Sequence, residues 1–243
     1  MDRMIYLSMT GAKAAMQRQE VLSNNLANVS TNGFRAEMAA FRAVPVNGDG
    51  ASTRVPSLET TVGYNPEPGP LQTTGRNLDV AMVGGAWLAV QALDGTEAYT
   101  RAGGLNIDAQ GQLVTHGGLP VLGDGGPITV PTTGGSLSIA PDGTISVTGS
   151  DHRTSTAGRL KLVTPDAPLT RGNDGLFRAG AGDLSADPAA RLQDGALEGS
   201  NVSAVETMVA MISAARQFEQ QMKLMQTAER QEQTAQKLLS NSG

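Results

Sequence analysis

Apolar residues at the two ends of the chain recur with helical spacing, and those in between do not. From Asp2 to about Ala27, Ile5, Met9, Ala12, Met16 and Leu26 keep an alternating four-three spacing, with polar Gln19 and Ser23 in the line, which predicts a helix. A second line, Met1, Ile5, Ala12, Ala15, Leu22 and Leu26, runs beside the first. The stripe is therefore wider than a two-stranded coiled-coil seam. Past Gly199 the pattern returns. Met208, Met211, Ala215, Phe218, Met222 and Met225 repeat at helical steps, Val202, Val205, Val209 and Ile212 mark a neighbouring face, and Leu224, Ala228, Ala235 and Leu238 mark another. No proline or glycine interrupts this stretch up to about Ser240. Asn201 or Ser203 is suited to cap its start, and Ser203 with Glu206 fits a capping box. One partner helix cannot cover all of these faces, so the two terminal helices are expected to pack together and against other copies.

Between the ends the period shortens. Leu78-Asp79-Val80-Ala81-Met82-Val83 and Trp87-Leu88-Ala89-Val90-Gln91 are strand-like runs bounded by glycines, and Asn106 to Val114 reads as a hairpin around Gln110-Gly111. Pro141-Asp142-Gly143 turns between Ser138-Ile139 and Thr144-Ile145-Ser146-Val147, while Leu160-Lys161-Leu162-Val163 and Leu176-Phe177-Arg178 add further short strands. Glu37-Met38-Ala39-Ala40-Phe41 suits either a helix or a strand; Asn47-Gly48-Asp49-Gly50 and Pro66-Glu67-Pro68-Gly69-Pro70 are non-helical. Composition shifts at the same places. All 12 prolines fall between Pro45 and Pro188 and 26 of the 30 glycines between Gly48 and Gly195, whereas nine of the 10 methionines lie outside that region. The expected fold is α+β, mainly β: an antiparallel β-rich middle, with N- and C-terminal α-helices packed together as a helical, coiled-coil-like domain. The expected divisions are an N-terminal helix in 1–35, an extended connector with short strands in 36–75, a β-rich middle in 76–195 and a C-terminal helix in 196–243.

Charge and chemistry narrow the function. A net charge of −5 without a Lys/Arg cluster excludes nucleic acid as a partner. The absence of cysteine excludes disulfides, thiolate metal sites and a thiol nucleophile. The N-terminus has no apolar signal-peptide core, and the run from Val80 to Leu93 is too short to span a bilayer. Asp49, Asp94, Asp124, Asp142, Asp174 and Asp194 each precede glycine, which reads as turn chemistry rather than a catalytic carboxylate pair. His116 and His152 are too far apart, in turn- and loop-like surroundings, to suggest a metal site. No catalytic residue, cofactor, metal or small-molecule substrate is expected. Arg216, Lys223, Arg230 and Lys237 recur every seventh residue, either as a solvated face or as a seam against acidic neighbours.

The stretch Ser23-Asn24-Asn25-Leu26-Ala27-Asn28-Val29-Ser30-Thr31-Asn32-Gly33-Phe34-Arg35 should end the first helix, because its amides compete with helical hydrogen bonds, and Asn32-Gly33 should then reverse the chain. This segment resembles the N-terminal signature of the flagellar axial proteins, the rod, hook and hook-filament junction family. Two further blocks resemble the same family in the same order. One is Gly69-Pro-Leu-Gln-Thr-Thr-Gly75-Arg-Asn-Leu-Asp79-Val-Ala, continued by Tyr99-Thr-Arg101-Ala-Gly103 and Gly111-Gln-Leu-Val; the other is Gly195-Ala-Leu-Glu198-Gly-Ser200-Asn201-Val202, continued by Met211-Ile212 and Arg216-Gln-Phe218-Glu219. Ala86 departs from the second glycine many relatives place before the aromatic.

Within the family the chain is most similar to a proximal-rod subunit; distal rod or hook subunits are the nearer alternatives, and a secreted β-domain enzyme or sugar-binding protein the remote one. The resemblance implies a nonenzymatic subunit of the periplasmic rod, exported through the flagellar export apparatus without a cleaved signal peptide. It also implies partners among other axial proteins, with no membrane insertion. The expected assembly interface comprises Ile5, Met9, Met16, Leu22, Asn25, Leu26, Asn28, Val29, Gly33 and Phe34 from the N-terminal part. From the C-terminal helix it takes Val205, Met208, Met211, Ile212, Phe218, Met222 and Met225. Leu26, Val29 and Phe34 are expected to anchor the end of the first helix on the C-terminal helix or on a neighbour.

Overall fold

The computed structural model describes residues 2–43, 57–131, 136–149, 152–180 and 182–240. The chain divides into two compact units, one of Met1–Val29, Ala36–Asn65 and Val202–Gly243, the other of Ser30–Arg35 and Pro66–Asn201. The first, helical unit contains α1 (Asp2–Ala27), β1 (Glu37–Ala43), β2 (Ser57–Tyr64) and α2 (Ala204–Ser240). Residues 37–43 thus resolve to strand: β1 pairs antiparallel with β2, from Glu37 opposite Tyr64 to Ala43 opposite Ser57. The Asn47-Gly48-Asp49-Gly50 stretch lies outside the described residues. Ser203 caps α2, its hydroxyl accepting the Glu206 N–H at 3.4 Å while its carbonyl accepts the Thr207 N–H at 3.0 Å.

The two helices pack on each other. Among the described residues, Ser8, Ala12, Ala15 and Asn25 are the buried positions of α1, and Thr207, Ala214 and Ala228 those of α2. The α2 set keeps a seven-residue register, and the position between Ala214 and Ala228 is filled by Gln221, whose amide lies against Gly11. Small side chains let two helix axes approach, so the Ala lines win the contact over the Met lines beside them.

The second, β unit is built of short antiparallel strands. In chain order they are β3 (Leu71–Thr73), β4 (Val80–Met82), β5 (Trp87–Gln91), β6 (Glu97–Thr100), β7 (Leu105–Ile107), β8 (Leu113–Thr115), β9 (Leu122–Gly123) and β10 (Gly126–Pro127). There follow β11 (Ser136–Ile139), β12 (Thr144–Thr148), β13 (Thr154–Arg159), β14 (Leu162–Val163), β15 (Thr170–Arg171), β16 (Phe177–Arg178), β17 (Leu192–Asp194) and β18 (Ala196–Glu198). The largest sheet runs β14-β5-β6-β16-β15, a second β11-β12-β13, and β17 pairs with β4 and β18 with β3. The expected hairpins at Gln110-Gly111 and Pro141-Asp142-Gly143 are β7-β8 and β11-β12.

Two sequence-based limits shift. Ala196–Glu198, expected to begin the helical segment, is a strand paired with Leu71–Thr73, which was expected to belong to the connector. Three-residue strands carry too little alternation to be recognised, and all of Leu71–Thr73 is exposed.

Both faces of the central sheet are covered. Leu88, Val90 and Ala98 point into an aliphatic core with Val80, Leu105, Leu113, Val121, Ile145, Leu160 and Leu162. On the opposite face Ala89 stands beside Tyr99, and Tyr99 beside Phe177. The Phe177 ring lies 4.7 Å from that of Trp87, tilted by 55°.

Candidate functional site

The asparagine-rich segment does local work first. α1 ends at Ala27, and the Asn28 side chain donates to the Asn24 carbonyl at 2.9 Å. The buried Asn25 amide pairs with the Glu37 backbone in both directions, donating to its carbonyl at 2.9 Å and accepting from its N–H at 2.8 Å. One side chain thereby imitates a strand partner and fixes the start of β1.

The following residues, Ser30–Arg35, belong to the β unit. Gly33 has φ of 70° and its N–H donates to the Glu198 carbonyl at 2.7 Å. A Cβ on Gly33 would sit inside the Arg101 backbone, so only glycine fits this approach. Phe34 is buried with the Arg171 guanidinium 4.5 Å above its ring, a cation–π contact. The ring expected against the C-terminal helix or a neighbouring subunit is thus housed by the β unit.

Arg35 completes a buried ionic node. Its Nη2 lies 2.7 Å from Glu198 Oε1, and Arg101 Nη2 and Nε lie 2.6 and 2.8 Å from Glu198 Oε2. The side chains of Arg35, Arg101 and Glu198 are 3, 2 and 1 % exposed. Two guanidiniums and one carboxylate leave an excess positive charge, which backbone dipoles offset. Arg101 donates to the carbonyls of Met82, Gly84 and Ala86, and Arg35 to that of Glu67. Ala86 is buried and its carbonyl is one of these acceptors. Glu198 Oε1 also accepts the Gly69 N–H at 3.0 Å.

The residues expected at an assembly surface separate into three groups. Asn25, Gly33 and Phe34 are buried within the chain itself; Ile5, Leu22, Leu26, Asn28, Val29, Met211, Phe218, Met222 and Met225 are half-buried; Met9, Met16, Val205, Met208 and Ile212 are exposed. Tyr6, Leu7, Val209 and Leu224 are exposed on the same two helices, and Val205 reaches 71 %. The basic positions Arg216, Lys223, Arg230 and Lys237 all face solvent. Arg35, Arg101 and Glu198 were absent from the expected set. Their signal was present, since each is a charged residue within one of the three blocks that carry the resemblance.

The other ionisable groups serve the fold. The buried Tyr99 hydroxyl donates to Glu97 Oε1 at 2.8 Å and accepts the Leu184 N–H at 2.7 Å, and Lys161 pairs with Glu97 at 2.7 Å. Burial pushes the Tyr99 pKa up, so the phenol stays protonated. Asp94, Asp142 and Asp174 accept N–H bonds from residues two further on, as turn residues do. Among the described residues no three metal-ligating side chains cluster, and no helix is long and apolar enough to cross a membrane.

Comparison with known proteins assigns the family. Three family models match: flagella basal body rod protein over residues 5–35, flagellar hook protein FlgE/F/G D1 domain over 81–147, and flagellar basal body rod FlgEFG protein C-terminal over 193–238. The flagellar basal-body rod protein FlgF of Salmonella typhimurium is 46% identical over 253 aligned residues, covering 100% of both chains. The chain belongs to the flagellar basal-body rod proteins. FlgF of Escherichia coli is 45% identical with the same coverage, and FlgG of Bacillus subtilis 31%, covering 94% of this chain and 96% of its own. Each rod-protein segment contributes one member of the ionic node: Arg35 lies in the first, Arg101 in the second and Glu198 in the third.

Proposed function

We infer that this chain is a structural, nonenzymatic subunit of the flagellar basal-body rod, of the FlgF type, and that its place is the proximal part of the rod where it crosses the periplasm and transmits torque. The full-length similarity to FlgF supports the type. The observation that carries the assembly role is the uncovered apolar surface of the helical unit. α1 and α2 spend their small residues on each other, and Met9, Met16, Val205, Met208, Val209 and Ile212 remain in water. Faces of this kind gain from burial against neighbours, at about 25 cal/mol per Å² of apolar surface removed from water, and methionine adapts to neighbours that are not identical. The partners are related axial subunits, and the chain reaches them through the flagellar export apparatus.

The test is a deletion strain. Loss of the protein should abolish the axial structure beyond the proximal rod, and with it swimming; normal rods and motility would overturn the assignment. The chain has no cysteine, so Met9→Cys and Met208→Cys introduced singly provide clean cross-linking handles. Cross-links to axial neighbours in purified basal bodies are expected at both positions.

A further inference from the structure

The backbone passes between the helical and β units four times, after Val29, Arg35, Asn65 and Asn201. On the β-unit side, these passages are hydrogen-bonded to one another. The Glu67 carbonyl accepts from both the Arg35 guanidinium and the Asn201 side-chain amide, the latter at 2.8 Å. Asn201 N–H donates to the Phe34 carbonyl at 3.3 Å, Gly33 N–H to the Glu198 carbonyl at 2.7 Å, and Gly199 N–H to the Pro70 carbonyl at 2.8 Å. The Glu198 carboxylate ties the set together, holding Arg35 and Gly69 on one oxygen and Arg101 on the other. Gly69 packs so closely on Gly199 that a Cβ would overlap its carbonyl.

We propose that Glu198 is a positioning residue that makes the segments 30–35, 66–70 and 198–201 open and close as one cooperative clasp. Arg101 is anchored independently by three carbonyls of the 82–86 turn, so losing the carboxylate charge leaves it held. Arg35 keeps the Glu67 carbonyl but loses its ionic partner. Removing that charge therefore loosens the clasp while the sheets stay intact. In a rod subunit the clasp spreads force from the helices over several backbone segments at once. That use rests on the rod reading; the cooperativity does not.

The test is amide hydrogen exchange on the full chain, comparing the wild type with Glu198→Gln. Gly69 loses a direct partner and reports nothing beyond that. The informative amides are Gly33, Gly199 and Asn201, whose acceptors are the backbone carbonyls of Glu198, Pro70 and Phe34, which a side-chain substitution leaves in place. They should accelerate together by about tenfold or more, the scale of losing one charge-assisted hydrogen bond, while Val90 and Tyr99 in the central sheet are unchanged. Acceleration of Gly69 alone, or of clasp and sheet equally, would overturn the proposal. Should Glu198→Gln not fold, Arg35→Met gives the same readout with Glu198 still paired to Arg101. The three amides must again move together, and independent rates would refute the clasp.

Discussion

A buried carboxylate between two guanidiniums is costly to desolvate and costlier to disrupt. Arg101→Met would strand three carbonyls and half of Glu198's bonds, so it should destabilise the β unit by about 3–5 kcal/mol. The fluorescence of Trp87, the only tryptophan, should report the lowered midpoint. Phe34→Ala should cost about 3–5 kcal/mol by the same measurement, as expected for a buried ring. Acid acts on other residues. The Thr144 N–H holds the Asp142 carboxyl below its ordinary 3.8, and the Arg178 guanidinium does the same for Asp174. A depressed folded pKa gives stability that is complete above 3.8 and lost as pH falls through the lower folded value. Carboxyl NMR titration should therefore place both midpoints below 3.8, with β-unit stability declining over the same range. At this scale, turn chemistry was legible in the sequence because an Asp-Gly pair acts on its own neighbours. The partners of Phe34 and Arg35 were not, since Arg171 and Glu198 are distant in the chain and no local pattern names them.

For the helices, boundaries were legible and contacts were not. Capping by Ser203 and the asparagine-rich exit of α1 are local signals, and the observed end of α1 at Ala27 and start of α2 at Ala204 match them. Several apolar lines on each helix satisfy the same period, however, and only side-chain volume selects which one meets the partner helix. The two kinds of position should respond differently to substitution. Ala214→Leu overfills a buried seam and should cost about 1–3 kcal/mol of helical-unit stability in the isolated chain, read by thermal melting of helical circular dichroism. Met208→Ala removes an exposed side chain and should leave that melt nearly unchanged while weakening incorporation into rods. The short strands β3, β17 and β18 escaped the sequence pattern because they are defined by their partners, with too few residues to show alternation.

On the scale of the whole molecule, the composition shift identified helical ends and a β middle, while the finer division, with the antiparallel pair β1 and β2 belonging to the helical unit, depends on long-range contacts that composition does not encode. In dilute solution the helical unit carries apolar faces in water and should open more readily than the β unit. Trypsin should cut first at exposed Arg18, Arg216 and Lys223. The surviving material should be the β unit, residues 30–35 with residues 66–201, and equal rates of loss of both units would show the helices to be as stable as the sheets. The pairing of β3 with β18 carries a separate consequence. The first and last strands of the β unit are antiparallel neighbours, so the backbone departs on its excursion and comes home at the same spot. Closing a longer excursion adds little entropy cost, only about 0.6 kcal/mol per doubling of a flexible loop. Added length within the β unit is therefore cheap to close. A fluorescent domain grafted at the β5–β6 tip, where Leu93 is 96% exposed, would ride on the subunit without altering where its chain begins or ends its detour.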